Sequence, residues 1–203
     1  MSTRPVVECY YSLSSPWAYF AGPRIVEIAR RHHAQVIVKP YDFQEVAPKT
    51  GGIPILTRPM PRQTYHALEL QRWSKFLGMP LNAKPRFYPP VDNKTPGHTV
   101  IAAQQLGYDY LRLSHAILRA IWSEERNVAL PETRKQIADE NDMDGDTLIR
   151  LEKSDPVVAE YRRNTDEVEQ LGVFGAPTYV FEGELFWGQD RLDFLDRALA
   201  AVR

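Results

Sequence analysis

The stretch Tyr10-Tyr11-Ser12-Leu13-Ser14-Ser15-Pro16-Trp17-Ala18-Tyr19 decides how this chain folds. It closes a β-branched and aromatic run that starts at Val6-Val7 and reads as a strand over residues 6–11. The serine cluster breaks that pattern, and after the Ser15-Pro16 step the apolar spacing becomes helical. Ser15 is placed to cap the helix and Pro16 to be its first residue, where a missing N–H costs nothing. A strand that feeds straight into a helix start is an anion-binding geometry. Its first amides have no carbonyl to reach, and the positive end of the dipole faces outward. On local grounds alone, Ser15 is a cap at that end.

Working outward, Ile25, Val26, Ile28 and Ala29 carry the helix towards Arg31, with Gly22-Pro23 predicting a kink or a restart. A second strand over residues 35–41 contains Val36, Ile37 and Val38, and the β-α-β opening implies parallel strands with a right-handed crossover. Residues 46–61, with Pro48, Pro54, Pro59, Pro61 and Gly51-Gly52, predict a long loop. A helix over residues 63–77 ends at Gly78 and Pro80, and a loop rich in proline and aromatics spans residues 82–95. Helices are expected over residues 97–106, 108–123, 131–141, 145–152 and 155–171, the last opened by Ser154-Asp155-Pro156. Strands return at residues 178–181 and 185–187 around Glu182-Gly183-Glu184, and Asp190 is placed to cap a terminal helix through Leu192, Leu195, Leu199 and Val202.

The 203 residues, 43% of them hydrophobic, suffice for a proper core. Lys plus Arg number 25 against 26 Asp plus Glu, a balance that gives no electrostatic case for nucleic acid or an anionic membrane as partner. The start, Met1-Ser2-Thr3-Arg4-Pro5, lacks the apolar core of a signal peptide, and no run reaches the length of a membrane span, so a cytoplasmic protein is expected. Cys9 is the one cysteine; it excludes an internal disulfide and a C-x-x-C pair, and its place in the first strand predicts a buried thiol. The five histidines show no metal-ligand spacing. Asp142-Met143-Asp144-Gly145-Asp146 is a polar turn, since Thr147 and Lys153 stand where a calcium loop needs glycine and a bidentate glutamate.

The two ends of the chain look like halves of one α/β unit split by a helical block. With that order, Ser15-Pro16-Trp17-Ala18 after the first strand and Gly172-Val173-Phe174-Gly175-Ala176-Pro177-Thr178 before the third carry a resemblance, continued by Leu185-Phe186-Trp187-Gly188-Gln189-Asp190-Arg191-Leu192. Over nearly its whole length the chain resembles the 2-hydroxychromene-2-carboxylate isomerases and kappa-class glutathione transferases. The resemblance implies an α/β, thioredoxin-like fold with a large all-helical insertion, DsbA-like. Residues 1–45 and 172–203 would form the discontinuous thioredoxin-like domain and residues 46–171 the insertion. Disulfide oxidoreductases of this architecture carry C-P-x-C where this chain has Ser15-Pro16-Trp17-Ala18, so dithiol exchange is chemically closed to it.

Glutathione is the implied cofactor. Ser15 matches the serine that hydrogen-bonds its sulfur, as a hydroxyl and a helix dipole both favour thiolate. Pro177 matches a cis-proline, and the peptide at Ala176 would pair with the cysteinyl backbone. Gln189 and Asp190 match the γ-glutamyl contacts, and Arg62 the basic residue near the glycyl carboxylate. The family's frequent asparagine is replaced by Gly51-Gly52-Ile53. Trp17, assigned with the glutathione-binding set, together with Tyr19, Phe87, Tyr88 and Trp187 offers walls for an aromatic pocket, and Lys84 and Arg86 offer charges for a substrate carboxylate. The implied activity is a glutathione-dependent cis-trans isomerisation between 2-hydroxychromene-2-carboxylate, or a related aromatic compound, and trans-o-hydroxybenzylidenepyruvate by reversible thiolate addition, in a homodimer. A kappa-like transferase or peroxidase and a non-catalytic binding module are the alternatives.

Overall fold

Side-chain alternation along the first strand sets the architecture. In the computed structural model, which describes residues 4–202, strand β1 (Val6–Tyr11) buries Val7, Cys9 and Tyr11 on one face and Tyr10 on the other. Residues 1–3, part of the segment read above for a signal peptide, and residue 203 lie outside the described range. Helix α1 (Pro16–His32) crosses over to β2 (Gln35–Pro40), which pairs parallel with β1 from Val6–Gln35 to Tyr11–Pro40. Strand β3 (Thr178–Phe181) runs antiparallel on the other side of β1, and β4 (Glu184–Trp187) closes the sheet in the order β2-β1-β3-β4. The β3–β4 link is a two-residue turn, Glu182-Gly183, with both φ angles positive (50° and 82°), the mirror-image geometry that suits the twist of a hairpin.

Between β2 and β3 lie α2 (Phe43–Thr50), α3 (Met60–Leu77), α4 (Thr95–Gln105), α5 (Tyr110–Trp122), α6 (Pro131–Asp139), α7 (Gly145–Leu151) and α8 (Asp155–Leu171), and α9 (Leu192–Ala201) ends the fold. One continuous apolar cluster joins the Val7-Cys9-Tyr11 face to α1, α4, α5, α6 and α9. A smaller one on the opposite face gathers Tyr10, Tyr41, Val46, Val168, Val173 and Val180. Inside the helical block, Arg134 donates to both oxygens of Glu152 (3.0 and 2.7 Å) and to the Val128 carbonyl, with Thr99 donating to the same carboxylate. Both charged side chains are essentially solvent-free.

Four expectations need correction. The stretch taken as loop from residue 46 opens inside helix α2, because the Asp42 carboxylate accepts from the Gln44 and Glu45 amides and Val46-Ala47 are buried; Pro48 is carried within the helix. Gly22-Pro23 does not restart α1, which runs unbroken with buried residues on both sides of the pair. A Cβ on Gly22 would lie 2.5 Å from His115 Nδ1, so this glycine lets α5 approach. Ser154 occupies the cap position of α8 but its side chain makes no capping bond. Asp190 does not cap the last helix: it sits in a short 3-10 turn (Gln189–Arg191), α9 starts after Arg191, and the Asp190 carboxylate pairs with the Arg191 guanidinium.

Candidate active site

The start of α1 is built as its residues dictate. Ser15 is extended (φ −74°, ψ 122°), and its Oγ accepts from the Ala18 N–H at 3.2 Å, a capping bond. The one hydroxyl proton points elsewhere, to the Ala176 carbonyl at 3.3 Å. That bond is long for O–H···O, so the proton is cheaply redirected to a better acceptor. The Ala176-Pro177 peptide is cis, as the resemblance implies, and a second cis bond at Tyr88-Pro89 gave no comparable signal in the sequence. Below the helix start a cavity of about 20 Å³ is bordered by Cys9, Tyr11, His115, Pro177 and Tyr179.

Two elements fix the serine loop. Trp122, at the end of α5, donates its indole N–H to the Ser14 carbonyl (3.2 Å), and the Ser15 amide donates to Ser12 O (3.1 Å). On the far side the Gly188 amide donates to the Pro177 carbonyl at 2.8 Å, so the 3-10 turn bearing Asp190 is tied to the cis-proline segment. Gly188 takes φ 106°, and a Cβ there would lie 2.5 Å from Asp190 Oδ1, so only glycine lets that carboxylate fold back over the turn.

The structure brings some of the residues singled out in the sequence together and sets others apart. Ser15, Ala176 and Pro177 meet, and Trp17 stands half-buried on the first turn of α1 beside them. Gln189 is buried, with its side chain and its carbonyl both held by Arg24 (2.8 and 2.7 Å), so it supports the turn from behind. Arg62 is exposed on the first turn of α3. Tyr19 turns inward, donating to the Pro80 carbonyl. Trp187 packs edge-on against Phe174 instead of joining the other aromatics. Arg86 is exposed and lies over its neighbour Phe87, and Lys84 is exposed too.

The aromatic rings gathered near Ser15 are instead Trp17, His66 and Tyr88, with the fully buried Trp122 behind Tyr88. Trp17 meets the His66 ring edge-on at 5.4 Å, and Tyr88 packs on Trp122 at 4.6 Å. The half-buried Arg58, whose Nε donates to the Ile53 carbonyl at 2.7 Å, lies within electrostatic reach of both His66 and Tyr88. Burial, and after it the Arg58 charge, holds the His66 imidazole below its ordinary value, so the ring is neutral near pH 7. Burial pushes the Tyr88 phenol up, leaving it a protonated donor. Neither Arg58 nor His66 was anticipated. The signal was present: from Val46 to Leu68 the chain has Lys49, Arg58, Arg62 and His66 and no Asp or Glu at all.

The family model for the DSBA-like thioredoxin domain matches residues 6–200. The chain belongs to the DSBA-like thioredoxin family. This DSBA-like protein is 26% identical over 195 residues to a 2-hydroxychromene-2-carboxylate isomerase of Sphingobium xenophagum, covering 95% of this chain and 97% of that one. It is also 26% identical over 213 residues to glutathione S-transferase kappa 2 of Caenorhabditis elegans, covering 96% and 93%. Among solved structures it superposes on a 2-hydroxychromene-2-carboxylate isomerase with a TM-score of 0.77 at 22% identity, covering 97% of this chain and 95% of the other. The cytosolic disulfide reductase DsbM of Pseudomonas aeruginosa with GSH gives 0.68 at 20% identity, covering 96% and 99%. Unlike a disulfide reductase, this DSBA-like protein has a single thiol, Cys9, which is buried in β1 and which burial pushes far up in pKa. No group of side chains suited to a metal ion occurs among its described residues, and no helix among them is long and apolar enough to cross a membrane.

Proposed function

We propose that the protein is a glutathione-dependent isomerase of an unsaturated aromatic keto acid, of the kind that interconverts 2-hydroxychromene-2-carboxylate and trans-o-hydroxybenzylidenepyruvate. The observation that carries this reading is Ser15 Oγ, seated on a helix N-terminus with its proton held only by a 3.3 Å bond to the carbonyl before cis-Pro177. The residues present fit glutathione. A redirectable hydroxyl and the positive end of α1 suit a thiolate, and Asp190, on the turn bonded to Pro177, suits an ammonium. Arg62 is assigned to the glycyl carboxylate and the Ala176 peptide to the cysteinyl backbone. When bound, glutathione supplies the nucleophilic thiolate whose reversible addition to the substrate double bond permits rotation about it.

The chain's own work is to hold that sulfur ionised and aimed. Ser15 donates its proton to it, and the positive end of the α1 dipole adds its field. The test is to supply 2-hydroxychromene-2-carboxylate with a small amount of glutathione. Many turnovers per glutathione, with none consumed, are expected. The 26% identity to a kappa-class transferase favours the second reading, transfer to an electrophile, and one glutathione lost per product would establish it in place of the first.

A further inference from the structure

Arg58 and Arg62 lie close enough for each other's charge to be felt, and neither forms an ion pair among the described residues. Burial, then the Arg62 charge, pulls the Arg58 guanidinium below its ordinary range, with no carboxylate acting in the other direction. Two neighbouring cations, one half-buried, in an acid-free stretch are costly unless an anion completes them. Two groups within electrostatic reach of Arg58 point the same way. Tyr88 and His66 contribute a phenol and a neutral imidazole, and neither side chain has a polar partner among the described residues. Trp17 meets His66 edge-on, and Tyr88 packs on the buried Trp122, whose indole N–H bonds the serine loop.

We propose that Arg58, assisted by the Tyr88 hydroxyl, binds the carboxylate of a planar aromatic acid whose ring lies against Trp17, His66 and Tyr88. The assignment rests on the isomerase reading for the identity of the substrate, and it replaces Lys84 and Arg86 as carriers of the carboxylate contact. A guanidinium suits the task because its planar fork meets a carboxylate with two parallel hydrogen bonds. Nε is already spent on Ile53, which orients the outer edge of the fork for the ligand. Holding the carboxylate there fixes the conjugated chain of the acid relative to Ser15.

The test uses trans-cinnamate and its neutral amide, cinnamamide, titrated calorimetrically into glutathione-saturated protein. The wild type is expected to bind the acid at least tenfold more tightly than the amide. Arg58→Met should abolish that preference and leave the affinity for cinnamamide and for glutathione unchanged, while Arg58→Lys, which keeps the charge without the fork, retains part of it. Absence of a preference in the wild type would overturn the proposal. So would an equal loss for acid and amide, or a fall in glutathione affinity, which would move Arg58 to the glutathione site. Failure of the isomerase reading is seen separately, as wild-type protein that binds glutathione without interconverting the hydroxychromene carboxylate.

Discussion

Ser15 carries two roles that one substitution separates. As a cap it contributes about 1 kcal/mol to stability, and as donor to a thiolate it makes a charge-assisted hydrogen bond of roughly 1.5–3 kcal/mol. Ser15→Ala is therefore expected to lower the unfolding free energy by about 1 kcal/mol and turnover by roughly ten- to a hundredfold. The ultraviolet absorbance of bound glutathione thiolate, followed against pH, checks that the loss lies in thiolate stabilisation. His115 makes a second residue-level prediction. Burial, with the Arg119 charge second, brings its imidazole from 6.5 down to about 4, and its Nδ1 has no hydrogen-bond partner. Since the folded value is depressed, the stabilisation is full above pH 6.5 and is lost as pH falls towards 4, because the unfolded chain takes up its proton first. The loss is on the order of 3 kcal/mol at about 1.4 kcal/mol per tenfold change in acidity. His115→Phe should flatten that part of the pH–stability curve in urea titrations. Residue identity was enough to read the cap at Ser15 and the buried thiol of Cys9, because both are matters of local chemistry, and the cis bond at Pro177 came with the resemblance. It did not reveal that Gln189 is held by Arg24, because that partner is 165 positions away.

Among the elements, the α1–α5 contact turns on one missing methyl. An interior helical Gly→Ala change normally gains about 1 kcal/mol. At Gly22 the new Cβ would meet His115 Nδ1 at 2.5 Å, and the imidazole cannot withdraw easily, being stacked on Tyr19 with their planes 4° apart. Overpacking of this kind costs about 1–3 kcal/mol, so Gly22→Ala should be neutral to destabilising by about 2 kcal/mol. In a His115→Ala background the same change should stabilise, and denaturation midpoints of the four proteins read the reversal. Helices and strands were legible wherever period and caps agreed, as in β1, α1 and the β3–β4 hairpin. Helix α2 was not, because three successive signals, Pro48, Gly51-Gly52 and Pro54, outweighed a cap at Asp42 whose amide donors, Gln44 and Glu45, become visible only once the chain is folded. Asp190 failed as a cap for a related reason: the chain prefers a 3-10 turn that faces Pro177 over an immediate entry to the helix.

At the scale of the molecule, the apolar cluster runs without a break from the sheet into the helical insertion, so we expect the two to unfold together. The buried Arg134–Glu152 pair tests this from the far end. Removing one partner strands a charge in a dry interior, and Arg134→Met should cost about 3–5 kcal/mol, a large share of a typical domain's stability. Tryptophan fluorescence and far-ultraviolet dichroism should still share one urea midpoint, whereas two midpoints would show that the insertion melts by itself. Arg134→Met combined with Glu152→Leu should recover most of the loss. The β-α-β opening, the long helical block and the closing hairpin were readable from periodicity alone. The pairing of β3 with β1 was not readable, since strand order depends on contacts that no local pattern encodes. The burial of Cys9 has a consequence for the protein's life among small thiols. With its only sulfhydryl sealed under α1, it offers glutathione disulfide nothing to exchange with and cannot be capped by the compound it is proposed to use. Thiol oxidation would then act on it through the supply of reduced glutathione, leaving Cys9 unaltered when the pool recovers.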